Sequence, residues 1–362
     1  NESMSVKLRR RSFLAWCGNA GLGSSLFPGA LWAQSEGATT AITSDMVEAA
    51  AQLAGLRIST SDREEMVAGV NANLLSFEAL REIHIDQNVP PPLYFNPSVP
   101  GQAFSNERRP FVRGARARVT RPAILDDVAF WPLTDIAQLI ESRQLSSVEL
   151  TRLYLERIER HDPVLHCVIT LTEELALEQA TQADREIAAG NYRGPLHGIP
   201  WGAKDVIAKR GYRTTWGSEA YRDQTVNLDA TVVTRLENAG AVLIAKLATG
   251  EIARGDRWFD KQTRNPWKTD EGSGGSSAGP ASATAAGLVG FSLGSDTTGS
   301  ILGPSRTCGI SGLRPTFGRV SRHGVMPVCW SLDKVGPMCR SVEDCAIVFE
   351  TIRGPDNQDL AV

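Results

Sequence analysis

The sequence predicts an α/β protein, a β-sheet core covered by helices on both faces and preceded by a small N-terminal helical segment. Three observations carry that expectation. From about residue 130 onward, short apolar runs that read as buried strands alternate with amphipathic stretches of helical period. Several helix starts carry capping signals: Ser146 with Glu149 makes a capping box, and Ser341 stands three residues before Asp344. The stretch 272–306 is almost entirely Gly, Ser, Ala and Thr, yet two apolar runs lie inside it between serine-bearing turns, so it reads as folded chain rather than linker.

Taken in order, residues 1–33 read as a targeting segment. Arg10-Arg11-Ser12-Phe13-Leu14 is a twin-arginine pattern behind Lys7 and Arg9, a modestly apolar region follows over 15–31, and a small-residue cleavage position follows Ala33. This is the order of a bacterial Tat export signal; the bland alternative is a chance Arg-Arg in a tail. A working signal places the mature protein in the periplasm or elsewhere outside the cytoplasm, and a silent one leaves it cytoplasmic. Cleavage removes four positive charges and one negative, taking the net charge from −3 to near −6. Asn1-Glu2-Ser3 precedes Met4, the better start, and the chain stops at Ala361-Val362 just after a helix and a Gly-Pro-Asp turn. The expectation is a fragment of a longer protein that lacks a C-terminal part.

Residues 34–129 read as a helical hairpin and a Pro-rich arm. Ser44 and Asp45 can cap a helix through Leu53, and Ser61 with Glu64 can cap a second running to about Ile85. Residues 88–121, with Pro90-Pro91-Pro92 and a basic cluster over 108–118, read as an extended arm whose charges form a solvated face. The main domain spans 130–362. Within it Thr134 is expected to cap a helix to Ser142, Ser146 one to Arg160, and Thr172 one to Ala189; further helices are expected over 229–239, 278–287 and 341–352. Strands are expected over 166–171, within 195–205 where a turn runs into a strand, over 241–245 and over 288–294.

The composition, 42% hydrophobic with 22% charged residues, is that of an ordinary folded protein, and a net charge of −3 leaves no electrostatic footprint for nucleic acid. Outside the signal no run is long enough for a transmembrane helix, so no membrane partner is expected after its removal. The six cysteines show no CxxC spacing and no His/Cys cluster, which argues against a structural zinc site. The five left after signal removal are an odd number, so at least one is expected to be unpaired.

Spacing makes the 272–306 stretch a candidate site. About ten helical residues carry the chain out ~15 Å, and about five strand residues bring it back ~17 Å. The turns bearing Ser276 and Ser300 therefore return to one end of the layer. The alternative is a helix–strand packing motif that needs small residues. A serine nucleophile requires a base, and none of the five histidines lies in this stretch. Lys204, set in Gly-Ile-Pro-Trp-Gly-Ala-Lys-Asp, is the candidate, because burial among small and apolar neighbours lowers a lysine pKa and frees the neutral amine. An ordinary surface lysine is the competing reading.

The segments PLHGIPWGAKDVI, NPW, GGSSAG, GSDTTGSILGPS and CGISGLRPTFGRVS, in that order and spacing, resemble the amidase signature family, and the match covers about Phe130 to the end. The resemblance implies the amidase signature fold, with a mixed twisted sheet, and a Ser–cis-Ser–Lys triad. By motif position the lysine is Lys204, the cis-serine Ser276, with a cis peptide between Gly275 and Ser276, and the nucleophile Ser300. It further implies an oxyanion hole from the backbone N–H groups of Thr297, Thr298, Gly299 and Ser300, support from Ser277 and bracing by Asp296. No cofactor and no metal are implied, and the partner is a small-molecule amide; a homodimer is left open. Two departures from the family's GGSIR bear on the bracing: Thr298 replaces a glycine, and Leu302 replaces an arginine that partners the motif aspartate, a role Arg306 could take.

Rival readings are weaker. Gly275-Ser276-Ser277-Ala278-Gly279 fits the GxSxG elbow, but only His323 is available downstream. Ser331-Leu332-Asp333-Lys334 fits SxxK without the companion motifs. Within the family, the resemblance also allows a glutamine-dependent amidotransferase A-type subunit that passes ammonia to a partner; the small helical subunit of those assemblies resembles the N-terminal hairpin, whereas the export signal argues against the reading. A non-catalytic binding relative is the third class, and the intact Lys204, Ser276 and Ser300 argue against it. Which amide is cleaved is not legible, because the pocket-forming segments vary.

Overall fold

The structure, a computed structural model, describes residues 41–86, 101, 112, 114 and 117–362. The expected signal and most of the Pro-rich arm lie outside the described residues. Two compact units divide between Pro91 and Pro92.

In the first unit, α1 (Ser44–Leu53) and α2 (Thr60–Arg81) form the expected pair of helices. Their caps sit earlier than the sequence suggests. Thr43 accepts the Met46 N–H, and Ser59, not Ser61, accepts the Asp62 N–H at 3.2 Å. The second helix stops at Arg81, short of Ile85. Asn71 ties the pair together, exchanging hydrogen bonds with both backbone groups of Ile42. Only Val47 and Ala51 of the two helices are buried.

The second unit begins before the expected boundary at 130. Val128 and Ala129, on a 3-10 turn over Leu125–Phe130, are already fully buried in the main core. Two helices follow, α3 (Leu133–Glu141) and α4 (Ser147–Leu165). Thr134, expected as a cap, lies inside α3 behind Pro132, because Leu133 is itself a core residue. The Ser146–Glu149 capping box is present in both directions, and α4 runs past Arg160 to Leu165, with Pro163 in its last turn. Then come β1 (Val168–Leu171), α5 (Glu173–Ala188), β2 (Pro200–Lys204), α6 (Thr231–Asn238) and β3 (Val242–Leu247). Two short hairpins, β4 (Arg257–Trp258) with β5 (Lys261–Gln262) and β6 (Arg264–Asn265) with β7 (Lys268–Gly272), lead to α7 (Ala278–Ala285). The rest is β8 (Phe291–Asp296), α8 (Leu302–Cys308), β9 (Ser311–Gly312), β10 (Lys334–Cys339) and α9 (Val342–Ile352), the last capped by Ser341 as expected.

Six strands form one mixed sheet in the order β1-β3-β2-β8-β10-β9. The central three are parallel, with Trp201 opposite both Leu243 and Phe291, and antiparallel partners close each side. Every residue of β2 and β3 is buried, the pattern of strands covered on both faces. Trp201 and Phe291 stack at 5.9 Å across the β2–β8 pair. All eight residues of α7 are buried. Only small side chains fit there, and their hydroxyls are paired inside: Thr284 with Ser292 at 2.9 Å, and Ser282 with the Arg264 carbonyl at 2.8 Å. The far end of α7 is held by buried Arg157, which donates to the carbonyls of Ala286 and Gly287 at 2.9 and 2.8 Å. The small-residue stretch is therefore a packing motif around α7, and the candidate site stands at the helix's other end.

Candidate active site

The carboxyl ends of parallel strands β2 and β8 lie side by side, the position where open α/β sheets gather ligands. Lys204 is the last residue of β2 and is fully buried. Its Nζ donates to Ser276 Oγ at 2.7 Å and to Ser295 Oγ at 2.9 Å. Burial pulls its pKa from 10.5 down to about 7, against the weaker pull of the Asp296 and Asp333 carboxylates. Its sequence neighbour Asp205 does not compensate it. The Asp205 carboxylate is taken by Lys246, 2.8 Å away with both side chains fully buried, and by the N–H and hydroxyl of Thr215. Two lysines are thus buried a strand apart. One is matched by a carboxylate, and the other has two hydroxyls as its only hydrogen-bond partners among the described residues.

Ser276 sits on a turn that only glycine can build. The Gly275–Ser276 peptide is cis. A Cβ on Gly275 would stand 1.7 Å from the Gly255 carbonyl oxygen, so the turn presses backbone to backbone against that loop. The Ser276 carbonyl is held by the Gly250 N–H at 3.2 Å. Ser277, expected to support the site, connects its parts. Its N–H donates to the Ser300 carbonyl at 3.1 Å, while its hydroxyl donates to the Ser295 carbonyl at 3.1 Å and accepts the Ser295 N–H at 3.3 Å. The turns of Ser276 and Ser300 are therefore adjacent. The Ser300 side chain is half-buried, and no hydrogen bond joins its hydroxyl to Ser276 Oγ.

Asp296 is fully buried and braces the loop that follows it. Oδ1 accepts the Gly299 N–H at 2.7 Å, and Oδ2 accepts the N–H groups of Ile301 and Leu302 at 2.8 and 3.4 Å. This corrects one expected oxyanion donor: the Gly299 N–H is directed at Asp296. The N–H groups of Thr297, Thr298 and Ser300 have no protein partner among the described residues. Gly299 has φ +135°, a conformation that requires glycine, so the loop tolerates Thr298 in place of the family glycine but keeps the glycine after it. The arginine missing at Leu302 is replaced by Arg314, 3.6 Å from Asp296, and not by Arg306, which is exposed.

Three further residues act here that the sequence alone does not assign to this site, though Ser295 lies in the GSDTTGS motif and Asp333 and Lys334 in the Ser331–Lys334 stretch. Ser295 completes the environment of the Lys204 amine. Asp333 accepts the Thr297 hydroxyl at 2.6 Å, and Lys334 donates to the Thr297 carbonyl at 3.2 Å, so β10 holds the same loop from its other side. The rival readings find no geometry. The ring of His323 makes no hydrogen bond to Ser276 or Ser277, and Lys334 points to Thr297 rather than Ser331. Among the described residues no cluster of three or more His, Cys, Asp or Glu side chains is placed to hold a metal ion.

Ser295→Ala tests the added residue. A hydroxyl accepts more strongly from an ammonium than from a neutral amine, so its removal is expected to lower the Lys204 pKa further. The acid limb of the pH–rate profile then moves to lower pH, with a fall in kcat of about tenfold; an unmoved limb removes Ser295 from the base's environment.

The amidase family model matches residues 149–361. Over 230 residues the chain is 46% identical to the A-type subunit of the glutamyl-tRNA(Gln) amidotransferase of Methylococcus capsulatus, covering 63% of this chain and 47% of that protein. It is also 46% identical over 235 residues to the putative amidase AmiD of Mycobacterium bovis, covering 65% and 50%. Among solved structures, the native peptide amidase of Stenotrophomonas maltophilia aligns with a TM-score of 0.62 at 40% identity, over 65% of this chain and 50% of that one. The chain spans about half the length of the curated relatives it matches. With the family model covering more than half of its residues and the same fold in its structural neighbours, the chain belongs to the amidase family.

Proposed function

We propose that the protein hydrolyses a carboxylic amide through an acyl-enzyme on Ser300, with Ser276 and Lys204 carrying the proton. The observation that supports this best is the buried Lys204 amine, neutral above about pH 7 and 2.7 Å from Ser276 Oγ on the turn beside Ser300. Neutral Lys204 takes the Ser276 proton as Ser276 takes that of Ser300. Ser300 Oγ bonds to the carbonyl carbon, and the oxyanion is met by the N–H groups of Thr297, Thr298 and Ser300. The C–N bond then breaks, the proton returns to the departing nitrogen, and ammonia or an amine leaves. Water attacks the ester by the same relay and releases the acid.

Labelling with a serine-reactive fluorophosphonate, with the adduct located by peptide mass spectrometry, tests the reading. The expected adduct is on Ser300, formed at least about 100-fold more slowly in a folded Lys204→Ala variant. A folded wild type that stays unlabelled defeats the proposal, and an adduct on Ser277 returns the GxSxG reading. The similarity to the amidotransferase's A-type component favours a second reading, in which glutamine is the amide and ammonia goes to a partner. Hydrolysis of simple amides with no glutaminase activity excludes it.

A further inference from the structure

The turn that carries Ser276 has few side chains of its own. Residues 272, 274 and 275 are glycines, and the Ser273 hydroxyl is taken by the Gly274 carbonyl at 3.0 Å. Its shape is therefore imposed from outside, largely by the loop 250–256 that follows β3. The Gly250 N–H holds the Ser276 carbonyl, and the Gly255 carbonyl oxygen lies against Gly275. Asp256 holds the residue between those contacts. Its Oδ2 accepts the Gly274 N–H at 3.2 Å, while its Oδ1 accepts from Gln262 Nε2 at 3.1 Å. Among the described residues it is the only charged side chain hydrogen-bonded to the backbone of the turn. Oδ2 also packs so closely on Gly272 that a Cβ there would stand 1.9 Å away.

The same loop is anchored to the strand that ends in Lys204. Its Ile252 N–H donates to the Trp216 carbonyl at 2.9 Å, and the Trp216 N–H donates to the carbonyl of Asp205, next to Lys204, at 3.2 Å. Glu251 accepts the Ser218 hydroxyl at 2.8 Å. The loop thus links the backbone on both sides of the Lys204–Ser276 contact. Its course is not a relaxed one. Ile252 and Ala253 stand in succession at φ +46° and +58°, the left-handed region that a β-branched side chain rarely enters. Backbone outliers of this kind persist where the surrounding contacts over-determine the chain, and they gather at sites whose geometry matters.

We infer that Asp256 is a positioning residue for Ser276: by fixing the Gly274 N–H it keeps Ser276 Oγ within hydrogen-bond reach of Lys204. It acts through the turn, with its oxygens on Gly274 and Gln262 rather than on Lys204 or Ser276. What it supplies is an acceptor at one place, not a charge. The inference rests on the Lys204–Ser276–Ser300 relay proposed above.

Three variants of the full chain test it. Asp256→Asn keeps an oxygen for Gly274 without the charge. Asp256→Glu keeps the charge, but its extra methylene displaces the oxygen where Gly272 leaves no room. Asp256→Ala removes both. Fluorophosphonate labelling of Ser300 is expected to slow about 100-fold in Asp256→Ala and Asp256→Glu, the scale of an ångström of misplacement. In Asp256→Asn it is expected to stay within about tenfold of wild type, because an amide oxygen still accepts the Gly274 N–H. The side chain is half-buried on a loop, so the variants are expected to fold; Asp256→Glu carries the test where Asp256→Ala does not. NMR titration of Lys204, in protein with lysine isotope-labelled at Cε and assigned by comparison with Lys204→Met, gives a readout that a merely structural role leaves unmoved. Asp296 and Asp333, the charges that act on this amine, stay in place in every variant. The midpoint, about 7 in the wild type, is expected to fall in Asp256→Ala as the Ser276 hydroxyl moves off, and to stay in Asp256→Asn. Equal labelling in all four proteins with an unmoved titration overturns the inference and leaves the reaction standing. An equal loss in Asp256→Asn and Asp256→Ala, with the titration displaced in both, shows a charge acting at a distance and overturns it too. Should the wild type stay unlabelled while the titration moves in Asp256→Ala alone, Asp256 still positions Ser276 and the proposed reaction falls. No labelling and no movement overturn both.

Discussion

At neutral pH, Lys204→Met is expected to abolish turnover and to make the protein more stable. Loss of the base removes about 10²–10⁴ of rate. Stability moves the other way because the folded state holds this amine at a pKa of about 7 instead of 10.5. Between those values the unfolded chain binds a proton that the folded chain does not, so stability rises with pH through the window and is lowest below it. At pH 7 the cost of stripping the proton is roughly 4 kcal/mol, from 1.36 kcal/mol per pKa unit. Methionine, of similar length, carries no such cost but gives up two hydrogen bonds to Ser276 and Ser295, together about 1–3 kcal/mol. The expected net gain is about 2 kcal/mol at pH 7, shrinking to nothing or reversing as the pH approaches 10. Urea denaturation of both proteins across pH 6–10 measures it. A constant difference would show that the lysine is not held neutral. In the wild type, kcat/KM is expected to rise with pH through about 7 as the amine loses its proton.

Much of the fold was legible in the sequence, and the part that was not is tertiary. Local signals worked where the partner is local. The Ser146–Glu149 box and the Ser341 cap need only a hydroxyl and an N–H three residues on, and both are present. Thr134 failed as a cap because a core position for Leu133 moved the helix start two residues back, to a cap at Pro132. The motifs gave Lys204 and Ser276, and the structure brings these two together. Ser295 stands inside the GSDTTGS motif, but its contact with Lys204, 91 residues away, was out of reach because it depends on β2 lying next to β8. The substitute for the missing arginine shows the same limit: Arg306 was nearer in sequence, but Arg314, beyond α8, is nearer in space. The Gly299 N–H was misassigned for a related reason. A loop N–H can serve an oxyanion or a carboxylate, and only the position of Asp296 decides which.

That carboxylate should be the least replaceable residue of the loop, and Asp296→Asn is expected to damage both activity and stability, unlike Lys204→Met. The two oxygens of Asp296 accept N–H groups from different residues, Gly299 on one and Ile301 with Leu302 on the other. Asparagine keeps the shape but replaces one acceptor with an NH₂ group, which then faces an N–H donor in a fully buried position. It also removes the charge that faces Arg314. An unsatisfied buried donor costs about 1–3 kcal/mol, so the folded protein should lose on the order of 2 kcal/mol. The rate should fall further, because the same contacts set the positions of Ser300 and of the Thr297, Thr298 and Ser300 N–H groups, and losing one well-placed donor to an oxyanion costs about 10²–10³ in kcat. Fluorophosphonate labelling of Ser300 separates position from chemistry. In a folded Asp296→Asn protein with Lys204 and Ser276 intact, labelling should slow by a comparable factor, and its dependence on pH should move to lower pH, because the Asp296 charge that holds the Lys204 pKa up is gone. Wild-type labelling with reduced stability would confine Asp296 to a structural role, and an unmoved pH dependence would show that its charge does not act on Lys204.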